Sequence, residues 1–132
     1  MEKILGFCIQ IPNVPGALSK VTNVLAKNKI NITAIVAPEA NDFGQVRIFT
    51  DNFDKAKNVL DPIGYPFSFE EAYSISLADK EGALNELLKK FSLYGINVDY
   101  IFSTTSTNGT SARVVLSFKD KKRGEEILKE FE

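Results

Sequence analysis

The chain has 132 residues, 16 basic and 17 acidic side chains for a net charge of −1, one cysteine and no histidine. The charge balance leaves no electrostatic footprint for nucleic acid or for an anionic membrane surface. A lone Cys8 excludes an internal disulfide and a Cys-rich metal cluster, and the lack of histidine removes the commonest general base and zinc ligand together, so neither a metal nor a cofactor is expected.

Residues 4–11 alternate Leu5, Phe7, Ile9 and Ile11 against Ile4, Gly6, Cys8 and Gln10, the period of a strand with one apolar face. Pro12 and Pro15-Gly16 end it, and Pro15 suits the first turn of a helix. Leu18, Val21, Thr22 and Leu25 then fall at helical spacing, predicting a helix over 16–28 with Lys20, Lys27 and Lys29 outside. Residues 30–37 are β-branched and strand-like, 39–44 read as a hairpin loop, and 45–50 as a strand. Asp51 or Asn52 can cap a second helix that ends near Leu60, before the break at Asp61-Pro62-Ile63-Gly64. A long alternation over 66–77 reads as two strands run together. A helix over 82–94, strands at 96–105 and 111–118 around a turn at Thr107-Asn108-Gly109-Thr110, and a charged helix from Asp120 to Phe131 complete the pattern.

The pattern is a repeat. Adding 66 to each position carries Gly16, Ala17, Leu18, Ile30, Asn31 and Ile35 onto Gly82, Ala83, Leu84, Ile96, Asn97 and Ile101 without a gap. Each half reads β-α-β-β-α-β, which predicts an α+β chain of two ferredoxin-like units, 1–69 and 70–132, with helices on one face of antiparallel sheet. The second unit lacks a clear final strand. Its first strand, 72–78, would then have an open edge, expected to be covered by residues 65–70 or by a second chain.

Catalytic options are poor, and no catalytic residue is expected. Ser-His and Cys-His pairs are impossible without histidine. Cys8 sits mid-strand as a small buried hydrophobe, Glu70 and Glu71 point to opposite strand faces, and no phosphate-binding loop is present. What remains is the turn before each first helix. Glycine lets a ligand approach the backbone, the helix N-terminus offers unpaired N–H groups to a carboxylate, and Asn13 or Asp79 can accept hydrogen bonds from an ammonium. The plainer alternative is that Gly16 and Gly82 only permit a tight turn, Asn13 and Asp79 cap it, and Asn31 and Asn97 close the helix end. Arg47 and Arg113, equivalent across the repeat, read as solvated strand residues or as interface residues.

Asn13-Val14-Pro15-Gly16-Ala17-Leu18, a helix, then Lys29-Ile30-Asn31-Ile32 resembles the ACT domain, a small amino-acid-binding regulatory module of amino-acid metabolism. Leu77-Ala78-Asp79-Lys80-Glu81-Gly82-Ala83-Leu84 with Gly95-Ile96-Asn97-Val98 looks like a second copy, so the resemblance is to a free-standing tandem ACT protein and covers essentially the whole chain. It implies ligand sites at interfaces between ACT units. Asn13, Val14, Pro15, Gly16, Ala17, Leu18, Asn31 and Ile32 would form one, and Asp79, Lys80, Gly82, Ala83, Leu84, Asn97 and Val98 its counterpart. Lys80-Glu81 stands where the first copy has Val14-Pro15, placing charge where the family is usually apolar. The expected protein is a cytoplasmic, non-catalytic sensor, forming a homodimer, that binds a free amino acid and regulates an enzyme of amino-acid metabolism, with no nucleic acid or membrane partner. The alternative is a regulatory subunit that docks on a biosynthetic enzyme with little ligand affinity of its own.

Overall fold

A computed structural model describes residues 1–105 and 111–132; the turn expected at Thr107–Thr110 lies outside the described residues. The elements are β1 (Glu2–Pro12), α1 (Ala17–Lys27), β2 (Ile32–Val36), β3 (Phe43–Thr50), α2 (Phe53–Leu60), β4 (Phe67–Ala78), α3 (Ala83–Leu93), β5 (Val98–Thr105), β6 (Ser111–Phe118) and α4 (Lys121–Lys129), with a 3-10 turn at Asp61–Ile63. No helix among the described residues is long and apolar enough to cross a membrane. The chain divides into two compact units, Leu5–Glu70 and Met1–Ile4 with Glu71–Glu132.

In the first unit β3 pairs antiparallel with β1 on one side and β2 on the other. Gln10 on β1 donates its N–H to the carbonyl of Pro66, 2.8 Å away, where the chain enters β4. Phe7, Ile9, Ile11, Val46 and Ile48 turn one sheet face toward Ala17, Val21 and Leu25 of α1 and Ala56 and Leu60 of α2. Burying side chains of this size stabilises by about 1.5–3 kcal/mol each. Asn52 caps α2, its side-chain oxygen accepting from the Lys55 N–H at 3.1 Å.

The buried helical stripe keeps Val21, Leu25, Leu87 and Phe91 as expected, but its first inward position is Ala17 or Ala83 instead of Leu18 or Leu84. Ala17, Val21 and Leu25 are the inward positions, and 66 residues on Ala83, Leu87 and Phe91 repeat them. Leu18 and Leu84 are therefore not equivalent core residues: Leu18 is half-buried, and Leu84 is 43% exposed. The expected stripe favoured the large side chains, whereas alanine holds the inward position at the start of both helices.

The second unit has the ladder β4-β6-β5, antiparallel throughout. Tyr73, Ile75, Leu77, Val114, Leu116 and Phe118 pack on Leu87, Phe91, Ile127 and Leu128. Residues 65–70 do not cover its open edge. β4 has β1 as its other neighbour, and Met1–Ile4 belong to this unit. Met1 packs against its core, and the Met1 ammonium pairs with Glu132. The Lys3 ammonium lies 3.6 Å from Glu125, 3.9 Å from Glu71 and 5.9 Å from the centre of the Tyr73 ring. Tyr73 is fully buried and donates its hydroxyl to Glu125. Burial, then that bond, pushes the Tyr73 phenol well above its usual range, while accepting the bond holds Glu125 below its own.

Both long helices end by the same reversal. Ile30 N–H donates to Leu25 C=O at 3.0 Å, and Ile96 N–H to Phe91 C=O at 2.9 Å. The residue before each acceptor-closing isoleucine takes positive φ, 57° at Lys29 and 67° at Gly95.

Candidate functional site

The turn that joins β1 to α1 is built from backbone first. Val14 N–H donates to Pro12 C=O at 2.9 Å, and Ala17 N–H to Val14 C=O at 3.2 Å. Gly16 has φ 87° and ψ −12°, so Val14-Pro15-Gly16-Ala17 is a type II turn with proline second and glycine third. Pro15 therefore belongs to the turn and not to the first helical turn expected of it. Gly16 answers to the backbone: a Cβ there would meet nothing within 4 Å, and only the positive φ demands glycine. Residues 80–83 repeat the turn, with Gly82 at φ 85° and ψ −11°.

No side chain caps α1, and its first turn carries no acidic residue. Its N-terminal N–H groups keep their partial positive charge. The start of α3 is also uncapped, but Glu86 lies in its first turn.

Opposite the first turn stands the β2–β3 loop, and Asn13 fastens the two together. Its side-chain amide donates to the carbonyls of Ala40 at 2.8 Å and Asn41 at 2.9 Å, and its backbone N–H donates to Asp42 C=O at 2.8 Å. Both amide protons are thereby engaged, leaving the Oδ1 oxygen as the acceptor. Between turn and loop lies a cleft of about 320 Å³. Ile11, Pro12, Asn13, Val14, Leu18, Gly44 and Val46 line one part of it, and Ala37, Pro38, Glu39 and Ala40 the loop side. The loop residues were absent from the expected site because 39–44 carries only turn composition. The register that sets Pro12 opposite Phe43 is what brings them to the turn.

Asn31 and Ile32 line a different cleft of about 450 Å³ on α1, with Thr22, Asn23 and Ala26 among its other walls. Asn31 exchanges two bonds with Asp51, its N–H to Oδ1 and its C=O from the Asp51 N–H, each 3.0 Å. Pro15, Gly16 and Ala17 line neither cleft. In the second unit Asp79, Lys80, Gly82 and Leu84 are exposed, Ala83 is buried and Val98 half-buried. Asn97 lines a cleft of about 240 Å³ with Asp99, Lys119 and Asp120.

The sheet face away from the helices holds the titratable groups expected to be solvated. Arg47 Nε lies 3.5 Å from Glu70 Oε1, with only 23% and 18% of those side chains exposed. Cys8, paired across the ladder with Arg47, is buried, and that burial raises its thiol pKa. Arg113 donates its Nε–H to Ser74 Oγ at 2.7 Å. Ser74 and Arg113 are the 66-residue equivalents of Cys8 and Arg47, so the arginine recurs while its partner changes. A protonated, buried thiol is no nucleophile.

The structure of protein BT0572 from Bacteroides thetaiotaomicron superposes with a TM-score of 0.90 at 30% identity, over 97% of this chain and 88% of that one. The ligand-free regulatory subunit of aspartate kinase from Thermus thermophilus does so with a TM-score of 0.73 at 18% identity, over 98% and 90%. E. coli aspartokinase III in complex with lysine and aspartate gives 0.62 at 14%, over 98% of this chain and 31% of that one. With the kinase chains the likeness is one of fold. No curated protein matches the sequence. The ACT domain pair family matches residues 2–131, and the chain belongs to that family of regulatory, ligand-sensing modules.

Proposed function

We propose that the chain is a non-catalytic sensor that binds a free amino acid at the first turn of its first unit and thereby regulates an enzyme of amino-acid metabolism. The observation that carries this reading is the cleft of about 320 Å³ beside an α1 N-terminus that no side chain caps. Unpaired N–H groups there suit a carboxylate, and the volume lies within the range of small-molecule sites. The second turn is the weaker candidate, because Glu86 already neutralises its helix end.

The reading includes a homodimer. Asn13 and Asn31 line different clefts of one unit. A two-fold interface would let one ligand meet the Asn13 set of one copy and the Asn31 set of another.

A thermal-unfolding screen against the twenty amino acids tests this. A ligand at 100 times its dissociation constant stabilises by about 2.7 kcal/mol. Each kcal/mol raises the melting point of a chain this size by roughly 2–4 °C. At least one amino acid should raise it by several degrees, and the matching amine without a carboxylate should not. If no amino acid shifts it at millimolar concentration, the sensing reading fails and the docking-subunit alternative replaces it.

A further inference from the structure

We infer that the first-unit cleft selects amino acids with an uncharged aliphatic side chain, that Glu39 holds the ligand ammonium, and that Asn13 positions the loop carrying Glu39. The inference rests on the sensing reading and deepens it. Its ground is the composition of the walls. Ile11, Val14, Leu18, Pro38 and Val46 supply apolar surface from strand, turn, helix and loop, and Glu39 is the one ionisable residue among all that line the cleft. An acidic ligand side chain would enter beside a like charge, with no cation among the cleft residues of the same copy to pair it. A basic side chain could reach Glu39 only in competition with the ligand's own ammonium, leaving one of two cations unpaired. An aliphatic side chain leaves Glu39 to the ammonium and buries apolar surface against apolar walls.

Asn13 enters as a positioning residue. Its three bonds to Ala40, Asn41 and Asp42 anchor the loop immediately after Glu39. These three bonds fix the loop, so the assigned effect of Asn13 on a ligand runs through the placement of Glu39, and the double variant below separates it from a direct bond to the free Oδ1.

The test uses the full chain, with isothermal titration and thermal unfolding against leucine, isoleucine, valine, lysine and aspartate, for the unaltered protein, Glu39→Gln, Asn13→Ala and the double variant. At least one aliphatic amino acid should bind, and lysine and aspartate should bind at least ten times more weakly. Glu39→Gln should weaken the aliphatic ligand by at least ten-fold while leaving the melting point of the unliganded protein within a degree, since Glu39 is exposed. Asn13→Ala should also weaken binding, and the double variant should bind no worse than Glu39→Gln alone. A purely structural role for Asn13 would instead make the two losses multiply, and that result overturns its assignment. Binding of lysine or aspartate in preference to the aliphatic amino acids overturns the selectivity while the sensing reading stands. Aliphatic binding unchanged in Glu39→Gln overturns the ammonium assignment, and no binding by any of the twenty amino acids overturns the sensing reading itself.

Discussion

Lys29 and Gly95 occupy the same reversal in the two repeats, and the structure predicts what exchanging them does. Both are exposed, and both take positive φ, 57° and 67°. An L-residue in that region costs roughly 1–2 kcal/mol because its Cβ crowds the following carbonyl. Glycine removes this cost but restores freedom to the unfolded chain, worth about 0.4–1 kcal/mol in the other direction. The difference leaves Lys29→Gly more stable by about 0.5–1 kcal/mol and Gly95→Lys less stable by a similar amount. Packing does not complicate the comparison, since the space around Gly95 is open to 4 Å. Urea unfolding should show the midpoint rising for Lys29→Gly and falling for Gly95→Lys, with the slope unchanged. A Lys29→Gly midpoint that stays put or falls, beside a harmless Gly95→Lys, would falsify the backbone argument.

Gly6→Ala should destabilise by about 1–3 kcal/mol, the usual cost of overpacking. Its Cβ would fall 2.4 Å from the Ile48 carbonyl oxygen and 2.5 Å from the Phe49 ring, while Gly44→Ala, whose Cβ meets Ala40 Cβ at 3.5 Å, is the control and should fold normally. The pH dependence follows from the Tyr73–Glu125 bond. The phenol pKa is raised on folding, so its contribution is present below the unfolded value of ~10 and lost as pH rises past it. Glu125 is lowered, so its contribution is present above ~4.3 and lost on acidification. Unfolding midpoints measured across pH should show both limbs, and Tyr73→Phe should flatten the alkaline one.

The repeat and the alternation of Phe7-Ile9-Ile11 with its counterpart Tyr73-Ile75-Leu77 made the fold legible, because both are read along the chain without any tertiary contact. Strand 111–118 and the cap of α2 stand where composition placed them. Glu70 and Glu71 do point apart, one to Arg47 and the other toward Lys3 and Lys121. The burial of Arg47 was not legible, because its partner Glu70 is 23 residues away and only the sheet brings them together. The cleft was half legible. Asn13, Val14 and Leu18, which line it, belong to the motif, but Ala37 to Ala40 arrive through strand register, which no window of sequence records.

Because Met1–Ile4 pack with Glu71–Glu132, the chain of the first unit interrupts that of the second, and this predicts an order of folding. Residues 5–70 form one uninterrupted stretch, able to collapse with only its own chain. The second unit must bring Lys3 to Glu125 across nearly the whole polypeptide, and long closures are slow and entropically costly. A folded first unit shortens that search. Within it the rings of Phe7 and Phe69, near its two ends, lie 6.1 Å apart. Damage to the first unit, such as Gly6→Ala, should therefore slow assembly of the second, whereas damage to α4, such as filling the space of Gly124 against Phe118, should leave the first unit's folding rate intact.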